Sequence, residues 1–392
     1  MAPTARSADS FVVRATLLAA SMLTIMSGAT IAPALPAMQE RFKHEPGSEL
    51  EVRLVLTIIG LAIAVFSPLV GWAADRYGRK PLLLFSLALY ALAGVSGFFA
   101  QSVGQLLIGR VILGLAVAGT MNASSALIAD YFQGAARNRF VGLQSAFTGF
   151  GGVVFLPLGG ILAGLDWHYP FLVYLASLLI LPTALAALYE PPKQAAQPGT
   201  AGSLPASVWP LYLLAFAGMV LFYVGPANGP FRLQRDFGVS ASQTGFLVAF
   251  MTLVTALTAL QYSRVRSRLE FPQISGLGLL LMGLGWVVVG LAPGIPVVLL
   301  GFVLVGLGAG LHSPNISIWL MSLTRPDNRG RVLGGLTGAI FLGQFVSPIL
   351  TQPLVQFGLG TTFWAVGLVC AAVGAGMLAR AAGLGVGVKK RG

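Results

Sequence analysis

A run of about twenty predominantly apolar residues recurs along this chain, and a helix of that length crosses a ~30 Å hydrocarbon core. The runs occupy residues 12–35, 50–73, 81–100, 104–128, 139–164 and 168–188, then 208–231, 241–262, 272–292, 295–321, 331–354 and 360–381. Hydrophobic residues make up 56% of the 392 and charged ones only 9%, more apolar side chain than a water-soluble domain of this size can hide. The 50 Gly and 23 Pro fit a membrane setting, where small residues let helices approach and neighbours tolerate breaks. The first run reaches Pro36 without a small-residue cleavage pattern and reads as a spanning helix, not a removed leader. The expected fold class is an all-α membrane protein with twelve transmembrane helices.

Charge then orients the spans. An even number of crossings puts both termini on one side. The termini and the connectors on their side hold 18 of the 24 Lys and Arg, among them Arg6, Lys193, Lys389, Lys390 and Arg391. The opposite face has five: Arg41, Lys43, Arg53, Arg232 and Arg235. The positive-inside rule makes the richer face cytoplasmic, so the net charge of +12 reports topology and a lipid bilayer as partner, with no nucleic acid. One cysteine, Cys370, excludes an intrachain disulfide and reads as a small buried hydrophobe. Three histidines (His44, His168 and His312) and the absence of metal-ligand spacing or paired carboxylates predict no metal, no cofactor and no enzymatic activity.

The only long polar interior segment, YEPPKQAAQPGTAGSLPAS (189–207), reads as a flexible cytoplasmic linker between residues 1–188 and 208–392. The two halves repeat. A constant shift of 192 lays Gly109 on Gly301, Gly114 on Gly306, Arg139 on Arg331, Gly142 on Gly334 and Gly151 on Gly343. Two six-helix repeats of this kind predict pseudo-symmetric bundles, a substrate site between them near the midplane, and transport by rocking.

Within this frame GWAADRYGRK (71–80) fills every specified position of G-x-x-x-D-R-x-G-R-[RK], between the second and third spans. It resembles the loop signature of the major facilitator superfamily. Arg110 in LIGRVILGLAVAG resembles the fourth-helix arginine motif of the proton-coupled branches, and ATIAPALPAM (29–38) resembles the end of the first helix in the drug:proton antiporter-like branch. Two positions depart from that branch. Ser27 stands nine residues before Pro36 where many of these antiporters carry an acid. In the fifth helix, Gly152 and Pro157 match the antiporter motif, but Leu156 replaces a glycine and Gly159–Gly160 come one residue early.

The resemblance implies a major facilitator fold in the inner (plasma) membrane, acting as a monomer by alternating access. It implies export of a small-molecule substrate with protons as the coupling ion; the alternative is an importer or facilitator of a neutral or anionic metabolite. It also implies a gating set of Gly71, Asp75, Arg76, Gly78, Arg79, Lys80 and Asp130. Asp75 would meet the start of the eleventh helix, and Arg79 would pair with Asp130 at the end of the fourth. Lys80 mainly fixes topology.

Two ionisable residues lie at membrane depth. Arg110 either bonds backbone and polar groups such as Ser27 or Gln144, or attracts an anion or tunes a proton site. His312 suits proton coupling or a hydrogen bond between helices, and Pro314 after it is expected to break the tenth helix. Because the first, fourth, seventh and tenth helices line the pathway in this family, the substrate-binding candidates are Thr24, Ser27, Asn122, Tyr223, Asn228, Asn315 and Trp319. Gln144, Phe147 and Gln344 from the fifth and eleventh join them. YVGPANGPF in the seventh helix predicts a kink.

Overall fold

The computed structural model describes residues 10–192, 204–325 and 328–389. Arg6, Lys193, Lys390, Arg391 and residues 193–203 of the expected linker lie outside the described residues. Twelve helices among the described residues are long and apolar enough to cross a membrane. In chain order they are α1 (Phe11–Phe42), α2 (Ser48–Tyr77), α3 (Arg79–Phe99), α4 (Val103–Tyr131), α5 (Gly134–Leu165) and α6 (Tyr169–Ala187). There follow α7 (Val208–Asp236), α8 (Ala241–Leu260), α9 (Phe271–Leu291), α10 (Ile295–Ser322), α11 (Arg329–Val355) and α12 (Leu359–Ala382). Large apolar side chains such as Phe85, Leu92, Leu179 and Leu213 are exposed, as the lipid-facing side of a multi-pass membrane protein requires.

The chain forms two compact units, Met1–Pro198 with Ser240–Phe246, and Gly199–Val239 with Leu247–Gly392. Inside each, the 192-residue repeat reappears as packing. A Cβ on Gly114 would lie 2.4 Å from Ala62 Cβ and 3.0 Å from the Ile59 carbonyl, fixing α4 against α2. A Cβ on Gly306 would lie 2.8 Å from Val254 Cβ and 3.0 Å from the Met251 carbonyl, fixing α10 against α8. Both partners obey the same shift as the glycines. Gly109 and Gly301 likewise let α4 and α10 close on α3 and α9, while Gly142 and Gly334 both face open space.

The second unit adds a glycine seam. Gly276, Gly283 and Gly290 of α9 face Gly374, Gly367 and Gly360 of α12, in antiparallel order at seven-residue spacing. Cβ atoms on the α9 glycines would come 3.0, 2.6 and 2.6 Å from the carbonyls opposite. Backbone-to-backbone approach of this kind is how helices gain packing energy without a hydrophobic drive.

Proline acts differently from helix to helix. At ATIAPALP the α-helix ends at Ala29 and a 3-10 turn, Ala32–Ala34, leads into the last helical stretch of α1. Pro314, expected to break α10, does not: Ile295–Ser322 is one helix. The lost N–H is tolerated because Gly306, Gly308 and Gly310 hold α10 tightly to α8 and α9 on either side of it. α7 also runs through Pro226 and Pro230, then widens into a π turn at Arg232–Asp236.

Candidate functional site

The signature stretch lies where α2 gives way to α3. Gly78 turns the chain at φ +102°, a conformation strained for any other residue. The turn points the first N–H groups of α3 at Glu190, whose Oε1 accepts from Arg79 N at 2.8 Å and Oε2 from Lys80 N at 2.7 Å. There the carboxylate also meets the positive end of the α3 dipole. A Cβ on Gly78 would sit 2.9 Å from the same Oε1, so glycine is required twice over.

Around this cap the loop is fastened from three further directions. Lys80 Nζ donates to the carbonyls of Leu185 (2.9 Å) and Leu188 (2.6 Å), at the negative end of α6. Lys80 is thus a structural clamp as well as a topological charge. Arg79 forms an ion pair with Asp130, at the end of α4. Next to it, Tyr131 accepts from Tyr189 N at 2.9 Å, donates to the Tyr189 carbonyl, and stacks on the Tyr189 ring at 4.4 Å. Tyr189 and Glu190, read from sequence as the start of a flexible linker, are therefore bolted to the first unit. Arg76 lies over Trp72 and Tyr77, 5.7 and 5.8 Å from their ring centroids. Asp75 is exposed and has no partner among the described residues of its own unit. Gly71 meets nothing within 4 Å of a Cβ.

Deeper in the first unit, Arg110 is only 2% exposed and no carboxylate pairs with it among the described residues. Its place depends on the break in α1. With the helix ending at Ala29, Ile31 N turns to the Gly28 carbonyl and leaves the Ser27 carbonyl for others. Arg110 Nη1 donates to that carbonyl at 3.0 Å and to Tyr174 Oη at 2.7 Å; Tyr174 itself donates to the same carbonyl at 2.9 Å. The guanidinium carbon is 4.9 Å from the ring centroids of both Phe171 and Tyr174, so π faces substitute for a counter-ion. Nη2 has no hydrogen-bond partner. Ser27 thus contributes its backbone, since its own hydroxyl bonds back to the Thr24 carbonyl at 2.7 Å.

The remaining first-unit candidates do not converge on Arg110. Gln144 donates to Ser21 Oγ at 2.9 Å, and Asn122 bonds the Ala118 carbonyl of its own helix at 2.8 Å. Thr24 is half-buried, and Phe147 is exposed.

In the second unit, His312 Nε2 lies 3.3 Å from the Leu214 carbonyl of α7, and Nδ1 is buried without a partner. Asn315, expected in a binding cavity, is instead committed to structure. It accepts from Tyr262 Oη at 2.9 Å and donates to the Phe271 carbonyl (2.9 Å) and Ser275 Oγ (2.8 Å). The reason is position: directly after Pro314 on α10, its side chain faces the first turn of α9, within reach of the Phe271 carbonyl and the Ser275 hydroxyl. Trp319 stacks on Phe271 at 5.7 Å and belongs to that same end. Asn228 reaches Thr351 Oγ1 at 3.4 Å, tying α7 to α11; Gln344 is buried on α11, and Tyr223 is half-buried beside Phe222. Every described carboxylate lies in a connector or within the last few residues of a helix end.

The sequence matches the Major Facilitator Superfamily model twice, over residues 17–214 and 208–386. It is 24% identical over 369 residues to the tetracycline resistance protein, class H, of Pasteurella multocida, covering 89% of this chain and 90% of that one. Shorter similarities, each less than half of either chain, link it to the bacillibactin exporter of Bacillus subtilis (29% identical, 38% of each chain). A niacin transporter of Acinetobacter baylyi is 35% identical over 29% of this chain and 26% of its own. The fold is similar to a bacterial homologue of the human lysosomal transporter Spinster, in its inward-facing occupied form, with a TM-score of 0.76, 18% identity and 95% of both chains covered.

Proposed function

Because the chain belongs to the Major Facilitator Superfamily, we propose that it is a secondary active transporter of the inner membrane that exports a small organic molecule by alternating access, in exchange for protons. The observation that carries this reading is the fastened α2–α3 loop. Glu190, Lys80 and the Arg79–Asp130 pair hold it rigid, and Asp75 is left exposed beside them. A rigid loop presenting one free carboxylate suits a gate whose other half is a helix N-terminus, and the start of α11 is the proposed receiver. Both termini are proposed to be cytoplasmic, on the side of this loop. Export is favoured by the similarity to a tetracycline resistance protein and a bacillibactin exporter.

A second reading, uptake of a neutral or anionic metabolite, draws on the buried Arg110 without a partner acid and on the niacin transporter. Flux into proteoliposomes separates the two. A panel including tetracycline and niacin is offered with an imposed pH gradient of either sign, with and without a protonophore. Export coupled to protons predicts accumulation only when protons flow the opposite way, and its loss in Asp75→Asn at unchanged expression. Gradient-independent equilibration would support the facilitator, and normal flux in Asp75→Asn would remove the gate.

A further inference from the structure

The connector after α8 carries three arginines in five residues, Arg264, Arg266 and Arg268, and lies wholly in the second unit. It is firmly seated. Tyr262 is buried with its hydroxyl on Asn315 Oδ1 at 2.9 Å, and Val265 and Leu269 pack against Tyr262, Ile274 and Leu311. Arg266 is spent within the fold: Nη1 donates to the Leu269 carbonyl at 3.0 Å, and its guanidinium carbon lies 4.0 Å from the Phe271 ring centroid. Arg264 and Arg268 are exposed. Arg264 donates to the neutral Gln261 Oε1, and the Arg268 side chain has no hydrogen-bond or ion-pair partner among the described residues. Glu270, the acid next along the chain, is turned to the Gln273 N–H as the cap of α9. The 192-residue repeat shows what this connector lacks. Arg268 falls on Arg76, but Ser267 replaces Asp75, Arg264 replaces Trp72 and Leu269 replaces Tyr77. The acid is gone, the two rings that Arg76 lies over are gone, and a second cation has been added.

The same two arginines continue an apolar row. On α8, Phe250, Leu257 and Leu260 are exposed, and at about 100° per residue they share one side of the helix. Gln261 and Ser267 keep right-handed backbone, so that side runs on through Arg264 to Arg268. Large apolar side chains exposed along a spanning helix suit acyl chains, and cations at its end suit anionic headgroups. We propose that Arg264 and Arg268 form the headgroup site of one anionic phospholipid. Its phosphate lies between the two guanidinium groups and its acyl chains along Leu260, Leu257 and Phe250. A zwitterionic headgroup would bring its own cation to two arginines, with no acid to receive it. A free anion would leave the apolar row unused and would hold only to exposed charges, which bind weakly in water. The seated connector adds to affinity because little ordering is left for the lipid to impose.

The test titrates phosphatidylglycerol and phosphatidylcholine with identical acyl chains onto the full-length protein in detergent, reading bound lipid by native mass spectrometry. The first phosphatidylglycerol is expected to bind about thirtyfold more tightly than phosphatidylcholine, the factor that two arginines near a phosphate supply. Arg264→Gln with Arg268→Gln should bring phosphatidylglycerol to the affinity of phosphatidylcholine at an unchanged melting temperature. Arg137→Gln with Arg139→Gln removes as much positive charge from the exposed start of α5 and should leave the preference intact. Equal affinity of the two lipids for the unaltered protein overturns the proposal, and so does a preference that survives loss of Arg264 and Arg268. Equal loss in the two double variants overturns it by making the preference one of diffuse charge. Displacement of phosphatidylglycerol by millimolar inorganic phosphate overturns it by assigning the pair to a free anion. The measurement needs neither gradient nor flux, so its outcome and that of the transport reading are independent.

Discussion

The two bundles carry the same packing plan, and they differ most where the repeat places Arg110 opposite Phe302. In the first unit, small Gly94 of α3 admits the large Tyr174 of α6, and Arg110 of α4 fits against Tyr174 and Phe171. In the second, the large residue has changed sides. Trp286 stands at the Gly94 position, Gly225 of α7 makes room for its ring, and Phe302 packs edge-on to Trp286, with Phe363 matching Phe171. In each bundle a side chain donates to a carbonyl of the leading helix. Arg110 and Tyr174 do it for Ser27; Trp286 Nε1 does it for Leu221 at 2.8 Å. An indole and a phenyl ring therefore occupy in the second bundle the place that a buried charge occupies in the first. We propose that the first bundle keeps this charge for transport.

The start of the third helix in each bundle teaches a related lesson. Glu270 stands at the Gly78 position and caps α9 locally, in a box with Gln273, whose Oε1 accepts from Glu270 N at 2.9 Å. α3 has no such residue of its own and takes its cap from Glu190, more than a hundred residues away. The local cap serves one helix, whereas the distant one ties α3 to the end of α6.

These contrasts can be broken experimentally. Phe302→Ala removes a ring that is 1% exposed and should lower stability by about 3–5 kcal/mol, read as a large drop in melting temperature by light scattering or intrinsic fluorescence. Survival of the fold with little change would mean the second bundle is not a packed apolar counterpart of the first. Glu190→Ala should cost about 1–2 kcal/mol and speed hydrogen exchange at the Arg79, Lys80 and Tyr189 amides together. Glu270→Ala should affect only the first turn of α9, and equal spread of exchange in the two variants would erase the distinction between them. The smallest effect belongs to Asp166. The His168 backbone N–H, above all, holds its carboxyl below the ordinary value of 3.8. Its contribution is therefore present above that value and fades as the pH falls through the lower folded value. Asp166→Asn should lie slightly below the unaltered protein in melting temperature at pH 6, with the gap closing on acidification; a gap that widens would contradict it.

The repeat was legible because small residues at fixed spacing record where helices touch, and Gly114 and Gly306 keep equivalent neighbours. Arg110 was legible as a buried charge, and Ser27 as one of its candidate partners. That the carbonyl, not the hydroxyl, makes the contact depends on where α1 unwinds, which a hydropathy profile does not locate. Glu190 was missed because it sits in a Pro-rich polar stretch whose composition signals a linker; its signal was an acid directly after an apolar run. Asn315 shows the opposite problem. A polar residue in an apolar helix reads as a cavity residue unless the neighbouring helix that it bonds is known.

The most direct test of the account replaces the charge and keeps the packing. Arg110→Met should melt within about 1.5 kcal/mol of the unaltered protein, because an apolar side chain of similar reach suits the aromatic box. In the same proteoliposomes it should lose gradient-driven flux of whichever panel compound the unaltered protein carries best. A variant that melts normally and still drives that flux would contradict the claim that the first bundle retains its buried charge for transport.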